Sequence, residues 1–324
     1  MMIARPSNMS LAGTTVALPC FFPSVSSVKT NLLPVDYVEL LAAAAHPQLL
    51  VSAYDIANSN EEHRQRIDYA LKRSKNNGSV VLMDSGKYES FWKKDSAWEV
   101  NRFYEVCRAH ENDLCFCYDN QEPPATADAI AADAIASVLR DQGHAKGTIV
   151  PIVHGPSGLL PAAVKQVAEQ LCPVLLAVPE RDLGEGIIAR ARTVRELRAA
   201  LDELAFYCPL HLLGTGNPLS IIVYTMAGAD SFDGLEWCQT VVDHKTGMLF
   251  HFQQWDWFRE QTQWGSNGSL PYIQSTLMHN LEFYTQFMQD FRGALESGKT
   301  QQFLEKFLGI DRARVILPAI GRSE

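Results

Sequence analysis

The sequence predicts an α/β protein built as a closed (β/α)₈ barrel (TIM barrel) with further helices after the last strand. Short apolar runs rich in β-branched residues alternate with longer amphipathic stretches, which is the signature of strand–helix units and of a parallel sheet. Eight such short runs occur, the number that closes a barrel. The chain has 324 residues, and a barrel of this kind needs roughly 250. An open, doubly wound sheet is the alternative architecture.

The expected elements follow one another in a regular order. Strands are expected at 14–19, 48–52, 79–83, 114–118, 148–153, 173–178, 209–213 and 229–232. Helices between them are expected at 61–74, 98–110, 125–140, 160–170, 193–205 and 219–227. Asn217 followed by Pro218 fits a helix N-cap with proline in the first turn, and Gly228 fits the end of the same helix.

The barrel is therefore expected to span about 14–235. An irregular, aromatic-rich segment at 236–270 follows it, and then closing helices at 271–310, the first of them at 272–295 and the second at 301–308. No internal repeat, low-complexity tract or Pro/Gly/Ser-rich linker interrupts the chain. Residues 1–324 are accordingly interpreted as one domain.

The formal net charge of −9 bears on the class of partner. A general nucleic-acid-binding protein carries a basic field, so any polynucleotide must here be held by local basic loops. No apolar run approaches the ~20 residues that span a bilayer, and residues 1–20 lack the apolar core of a signal peptide. We expect a cytoplasmic protein with no membrane partner.

The seven cysteines are odd in number and scattered along the chain. This usage is typical of reduced, mostly buried thiols in a cytoplasmic protein rather than of a disulfide framework. Cys115 and Cys117 form a C-x-C pair on one face of a predicted strand. A metal site at this pair is the less favoured interpretation, because no second ligand pair lies at zinc-finger spacing.

Polar residues follow nearly every predicted strand, and the carboxyl ends of the strands carry the active site of a barrel. The clusters are Asp84-Ser85-Gly86, Asp119-Asn120, His154-Gly155, Glu180-Arg181-Asp182, Gly214-Thr215-Gly216 and Asp233-Gly234. Any one of them alone is typical of a turn or a cap. Three aspartates and a histidine at one rim indicate a site, because converging carboxylates raise one another's pKa and suit acid–base or nucleophilic roles.

Six short segments at predicted strand or helix ends carry a further signal. They are MDSGKYE (83–89), CYDNQEPP (117–124), IVHG (152–155), LLGTGNP (212–218), ADSFD (229–233) and HNLEFY (279–284). In the same order they resemble the motifs D-S-G-G-[FY]-Q, F-D-E-C-x-P-Y-P, I-V-Q-G, L-M-G-V-G-x-P, V-D-M-F-D and H-N-x-x-F-Y. These motifs belong to the tRNA-guanine transglycosylase (queuine tRNA-ribosyltransferase) superfamily, and the resemblance covers most of the chain.

The resemblance implies base exchange, in which a guanine of a polynucleotide is displaced and a 7-deazaguanine takes its place. Asp233 matches the nucleophile that attacks C1′ and holds a covalent glycosyl intermediate. Asp84 matches the residue that manages the proton of the departing and arriving base, and Asp119 the carboxylate that reads the amidine edge of the purine. The alternative for Asp233 is a strand-end turn residue.

The resemblance also implies how the base is held after it has been flipped out of its stack. Ser85 and the backbone near Gly214 would donate or accept hydrogen bonds, and Tyr88 and Leu213 would sandwich the flat ring. Tyr88 has ordinary packing at the rim as its alternative. His154 stands where the family has glutamine, and it either donates to a base oxygen or caps its strand.

The chain departs from the family at its zinc site. Family members carry C-x-C-x-x-C with a histidine, and His279 stands where that histidine belongs, but the cysteines are absent from 247–275. A degenerate zinc subdomain is therefore expected, with His279 making a structural hydrogen bond. The alternative is a weaker zinc site that combines His279 with one or more of four residues. These are Cys238, His244, His251 and Asp256.

Two other departures affect substrate recognition. The family's P-T-R-x-x-R-N-G stretch, which reads tRNA, is here GLEWCQ (234–239), and its G-G-L-x-V-G-E loop is VPERDLGE (178–185). Pro179 cannot donate a backbone hydrogen bond, and Lys87 replaces the second glycine of D-S-G-G. The altered tRNA-reading parts resemble the DNA-guanine transglycosylases of 7-deazaguanine DNA-modification clusters, so DNA is slightly favoured over tRNA.

Two aromatic segments have open interpretations. The loop 88–98 interleaves aromatic residues with lysines and is either a surface that stacks bases and binds phosphate or an amphipathic loop over the rim. The cluster at 250–257 has the same alternatives, with core packing favoured.

Three functions remain in view. They are polynucleotide base exchange, glycosyl transfer on a free nucleoside or nucleotide, and a non-catalytic or partner-dependent subunit of a modification complex. Family members often form homodimers, but the zinc region contributes to them, so the oligomeric state stays open.

Overall fold

Eight parallel strands form one sheet in the computed structural model, which describes residues 4–321 except 12, 267 and 269. The strands are β1 (Cys20–Val25), β2 (Gln48–Ser52), β3 (Val80–Asp84), β4 (Leu114–Phe116), β5 (Thr148–Val150), β6 (Leu176–Pro179), β7 (Leu210–Leu213) and β8 (Ser231–Gly234). Hydrogen bonds join them in the order β5-β4-β3-β2-β1-β8-β7-β6. A parallel bridge between Ile152, just after β5, and Ala177 in β6 closes the sheet into a barrel, so the open-sheet alternative is wrong.

Helices follow the strands on the outside of the barrel. The longer ones are α1 (Pro34–Ala43), α2 (Glu61–Asn76), α3 (Val100–Ala109), α4 (Ala127–Asp141), α5 (Leu160–Leu171), α6 (Gly186–Leu201), α7 (Pro218–Ala227) and α8 (Tyr272–Glu296). Shorter α-helical and 3₁₀ pieces are Ala53–Ala57, Lys87–Lys93, Glu180–Leu183, Glu236–Gln239, Phe252–Trp257, Arg259–Gln261, Gln263–Ser266, Thr300–Leu308 and Ile310–Ile316. Within the described part of the chain, no helix combines the length and the hydrophobicity that crossing a bilayer requires.

The predicted first strand at 14–19 is wrong, whereas each of the other seven predicted strands overlaps a barrel strand. Thr14–Ala17 pairs in antiparallel fashion with Asn8–Leu11, in a hairpin that is separate from the barrel sheet. The first barrel strand is β1, in which all 6 residues are buried, so the barrel begins at 20. Pro23 conceals this strand in the sequence, because proline is uncommon inside a central strand.

The predicted helices are confirmed with shifted ends. α6 begins at Gly186 instead of 193. The side chain of Asn217 accepts a hydrogen bond from the backbone N–H of Leu219 at 2.9 Å, which confirms the N-cap of α7. Gly228 ends the same helix with a φ of 123°, a conformation that favours glycine. α1 escapes prediction because its sequence is mostly apolar and lacks a clear amphipathic period.

The segment predicted as irregular at 236–270 contains the short elements named above and a hairpin of Thr240–Val242 with Leu249–His251. Its residues 267 and 269 lie outside the described residues. In the cluster at 250–257, Phe252 and Trp255 are buried, which confirms core packing for these two rings, but Trp257 is 69% exposed.

α8 fixes the backbone of the segments that follow β7 and β8. The side-chain amide of Asn280 donates to the carbonyl oxygens of Trp237 and Thr240, both at 2.7 Å. The hydroxyl of Tyr284 donates to the carbonyl oxygen of Gly216 at 2.6 Å. Polar side chains of the H-N-x-x-F-Y segment thus join α8 to the carboxyl rim of the barrel by hydrogen bonds.

A fully buried carboxylate, that of Asp230, fixes the start of β8. It accepts hydrogen bonds from the backbone N–H of Leu210 at 2.9 Å and from the hydroxyl of Tyr207 at 2.7 Å. The guanidinium of Arg5 forms an ion pair with it at 2.8 Å. The first aspartate of the A-D-S-F-D segment is therefore structural, and it positions the strand that carries Asp233.

Replacing Asp230 by alanine should lower the free energy of unfolding by about 3 to 5 kcal/mol, because Arg5 and Tyr207 would lose a buried partner. Urea unfolding followed by circular dichroism measures the change. Asp290→Ala on α8 is the matched control, since this exposed carboxylate accepts a hydrogen bond from Gln286 on the same helix, and its effect should stay within about 0.5 kcal/mol. Equal effects of the two substitutions would contradict the anchoring role.

Candidate active site

The carboxyl ends of the barrel strands surround a cavity of about 420 Å³. All of the residues that the sequence singled out for catalysis and base binding line it. They are Asp84, Ser85, Tyr88, Asp119, His154, Leu213, Gly214 and Asp233. The expectation that strand-end residues far apart in sequence meet at one rim is confirmed.

Asp233 lies in β8 with its carboxylate held from three directions. The hydroxyl of Ser24 in β1 donates to Oδ2 at 2.8 Å, and the backbone N–H of Gly214 lies 3.1 Å from Oδ1. Nε2 of the fully buried His211 also lies 3.0 Å from Oδ1, and the other ring nitrogen of His211 lies 2.8 Å from the hydroxyl of Ser231. These contacts stabilise a negative charge and fix the carboxylate, as a nucleophile requires.

Asp84, at the end of β3, has a different environment. Its carboxylate accepts one hydrogen bond in the described structure, from the backbone N–H of Gly86 at 2.9 Å. Burial and the neighbouring carboxylates of Glu89, Asp119 and Asp233 raise the pKa of Asp84 well above its ordinary value. This carboxyl group therefore holds its proton far more readily than a free aspartate does.

Asp119, His154 and Asp182 form a charged chain along one wall. Nε2 of His154 lies 2.7 Å from Asp119 and Nδ1 lies 3.1 Å from Asp182. Burial alone would lower the pKa of His154, but the hydrogen bonds and charges of the two aspartates outweigh it and raise the pKa to about 9. Burial would likewise raise the pKa of Asp119, yet the hydrogen bonds from His154 and Ser85 lower it. His154 is thus an imidazolium at neutral pH, and it does more than cap its strand.

The sequence analysis missed Glu89, which is buried and lines the same cavity. The hydroxyls of Ser26 and Ser52 donate to its two carboxylate oxygens, at 2.5 and 2.7 Å. Burial and the nearby charge of Asp55 raise the pKa of Glu89 to about 7. One signal in the sequence could have pointed to this residue: Glu89 stands where the family motif D-S-G-G-[FY]-Q has glutamine.

Glu236 is a second cavity residue that the sequence analysis did not select. Its carboxylate lies against the backbone of Gly216 and Gly234, so closely that a Cβ atom on either glycine would collide with it. Burial and the charges of Glu180 and Asp233 raise the pKa of Glu236 to about 7. The two glycines leave the space that this carboxyl group occupies, and their backbones also approach each other closely.

Lysine and arginine side chains also line the cavity. Arg190 forms an ion pair with Glu180 at 2.9 Å, and Glu180 also accepts from the hydroxyl of Tyr224 at 3.0 Å. Nζ of Lys87 lies 4.0 Å from the ring centroid of Tyr118. The sequence analysis noted Glu180 and Lys87 but not Arg190.

The residues around His279 do not fit a zinc ion. Nε2 of His279 lies 2.8 Å from the carbonyl oxygen of Val242, and Nδ1 lies 3.1 Å from the hydroxyl of Thr262. The structural hydrogen bond expected for His279 is therefore present. Cys238 donates to a carbonyl three residues earlier. Within the described residues, no group of three or more His, Cys, Asp and Glu side chains is arranged to hold a metal.

No protein-family model matches the sequence, and no curated protein matches it at significant similarity. The likeness to the transglycosylases accordingly depends on the six short segments and on the way the fold brings five of them to one cavity.

Replacing His154 by glutamine should remove a pH-dependent contribution to stability. Because the folded pKa of about 9 exceeds the ordinary 6.5, the wild-type advantage should be complete below pH 6.5 and disappear as the pH rises through 9. The loss amounts to roughly 3 kcal/mol. Urea unfolding of both proteins between pH 6 and about 10 measures it, with His63→Gln on α2 as control. A constant difference across this range would contradict the assignment.

Proposed function

We propose that this chain is a base-exchange transglycosylase, which replaces guanine in a polynucleotide with a 7-deazaguanine through a covalent aspartyl-glycosyl intermediate. The observation that carries the proposal is the pair Asp233 and Asp84 in one cavity. Donors stabilise negative charge on the first carboxyl group, whereas burial and like charges favour the proton on the second. Two carboxyl groups with opposed environments are the pattern of a nucleophile and a general acid.

The chemistry follows from these two roles. An oxygen of Asp233 attacks C1′, the C1′–N9 bond breaks, and its electron pair leaves with guanine while the proton of Asp84 neutralises the base. The incoming 7-deazaguanine gives its N9 proton to the Asp84 carboxylate. N9 then bonds to C1′ and displaces Asp233, so both aspartates return to their starting states.

Base recognition would depend on Asp119. Its carboxylate offers about four acceptor positions, of which Ser85, His154 and Gln121 use three. The remaining position suits one donor of a purine amidine edge. Tyr88 and Leu213 also line the cavity, as a flat ring between two apolar faces would require.

The segment after Asp233 supports DNA over tRNA. The family's arginine-containing stretch is replaced here by residues that turn inward. Trp237 is fully buried and its indole donates to the carbonyl oxygen of Ser24 at 2.8 Å, and Glu236 lines the cavity. This stretch therefore presents no cation to an anticodon loop.

Glycosyl transfer on a free nucleoside or nucleotide is the second candidate. The net charge of −9 favours it, because such a substrate needs no basic surface for a long polyanion. A non-catalytic or partner-dependent subunit is less favoured, since it would not need Asp84 and Asp233 in opposed environments.

Wild-type protein should incorporate radiolabelled guanine into one of three polymers: duplex DNA, single-stranded DNA or bulk tRNA. Asp233→Asn should reduce incorporation by about 10⁴-fold or more, because the covalent step is lost, and it should form no adduct on a denaturing gel. Asp290→Asn is the surface control. An adduct formed by Asp233→Asn would exclude Asp233 as nucleophile, and label in free nucleosides alone would favour the second candidate.

Asp84→Asn should lower the rate of adduct formation on a guanine-containing strand by about 10² to 10⁴-fold, the usual contribution of a general acid. A strand containing 7-methylguanine should restore most of the rate, because that cationic base leaves without receiving a proton. Rapid-quench assays on both strands measure the ratio. An equal loss on both would show that Asp84 does not act as the acid.

A further inference from the structure

A group of exposed aromatic side chains stands beside the cavity on the short helix Lys87–Lys93. Phe91 is 74% exposed and Trp92 48% exposed, a large unburied apolar surface for two adjacent rings. Their ring centroids lie 5.8 Å apart, and that of Tyr88 lies 6.4 Å from Trp92. Since Tyr88 also lines the cavity, the three rings lead from the cavity wall to the outside.

The structure divides the aromatic residues of the predicted loop 88–98 into two groups. Trp98 is buried, and its indole donates to the carbonyl oxygen of Ser85 at 2.9 Å. This hydrogen bond holds the backbone of the Asp84-Ser85-Gly86 cluster. Trp92 contacts the rings of Tyr88 and Phe91, yet a large part of Phe91 and of Trp92 stays open to solvent.

Exposed lysines lie next to these rings in space or in sequence. Nζ of Lys29 lies 3.9 Å from the ring centroid of Trp92, and the carbonyl of Lys29 accepts from the side chain of Gln239, a residue of the cavity wall. Lys93 and Lys94 follow Trp92 directly and are exposed. These positive charges belong to a chain whose net charge is −9.

Two of these lysines hold a backbone conformation that favours glycine. Lys29 has a φ of 56° and Lys94 a φ of 54°, in the left-handed region that costs energy for a residue with a Cβ atom. Lys94 ends the short helix Lys87–Lys93 in this conformation.

We propose that Phe91 and Trp92, with Lys29, Lys93 and Lys94, bind the single-stranded nucleotides next to the one whose base enters the cavity. We call these five residues the stacking surface. Bases stack on exposed aromatic faces without regard to sequence, and lysines contact the phosphates between them. An acidic protein holds a polyanion best at such a local basic surface. The inference rests on the proposed function, and it adds that the substrate strand is unpaired beside the reacting nucleotide.

The test measures the affinity of a fluorescein-labelled 12-nucleotide single strand by anisotropy, with Asp233→Asn as background so that no exchange occurs. Removing both rings (Phe91→Ala with Trp92→Ala) should raise the Kd about 10- to 100-fold. Trp92→Phe alone should retain most of the affinity, because a ring remains. Tyr69→Ala, at an aromatic 72% exposed on α2, is the matched control and should change nothing.

The salt dependence of strand binding tests the lysines. Lys93→Ala with Lys94→Ala should lower the slope of log Kd against log salt by about 0.7 per lysine. Lys299→Ala with Lys306→Ala, near the carboxyl end of the chain, is the control pair. An unchanged Kd for the ring variant, or an equal effect of the control variants, would overturn the proposal.

Two further outcomes separate this inference from the function on which it rests. Label incorporation with an unchanged KM in the ring variant would leave base exchange standing and overturn the stacking surface. Strand binding that depends on the rings, without incorporation by the wild type, would support the surface and contradict the exchange reaction. Dissociation of a wild-type dimer by the ring substitutions, with no strand binding, would assign the rings to a contact between copies and overturn the proposal.

Discussion

Like charges brought together by the barrel are the constraint on which the site depends. Parallel strands place their carboxyl ends at one rim, and six carboxyl side chains there line one cavity of about 420 Å³: Asp84, Glu89, Asp119, Glu180, Asp233 and Glu236. Six ionised carboxylates in so small a volume would repel one another strongly, and burial would deprive them of water. The structure resolves the conflict in two ways: some carboxylates receive donors or a cation, and others favour the proton.

This division of the carboxyl groups bears on the proposed reaction. Asp233 and Asp119 receive hydroxyl, backbone and imidazole donors, so they suit roles that need negative charge. Burial and neighbouring carboxylates raise the pKa values of Asp84, Glu89 and Glu236, so these groups hold a proton more readily than free carboxyl groups do. In the proposed reaction, Asp233 and Asp119 would carry the negative charge and Asp84 would carry the proton.

The sequence predicted this site where the signal was local and missed it where the signal was tertiary. Asp84, Asp119 and Asp233 end strands, and a strand end is recognisable from hydrophobic periodicity. Glu89 and Glu236 lie on short helices after the strands, and only burial against Ser26, Ser52, Gly216 and Gly234 makes them part of the cavity. The first strand was misplaced for a related reason, since Pro23 breaks the apolar run that the barrel nevertheless buries.

The hydrogen bonds from α8 to the rim limit how far the chain can be shortened from its carboxyl end. Tyr284 and Asn280 supply donors to the carbonyls of Gly216, Trp237 and Thr240, which belong to the backbone that shapes the rim. A shortened protein ending after β8 would keep every barrel strand and every cavity carboxyl group, yet these carbonyls would lose their partners and the seat of Glu236 would be free to shift. The smallest unit that keeps the shape of the cavity is therefore larger than the barrel, and it includes α8.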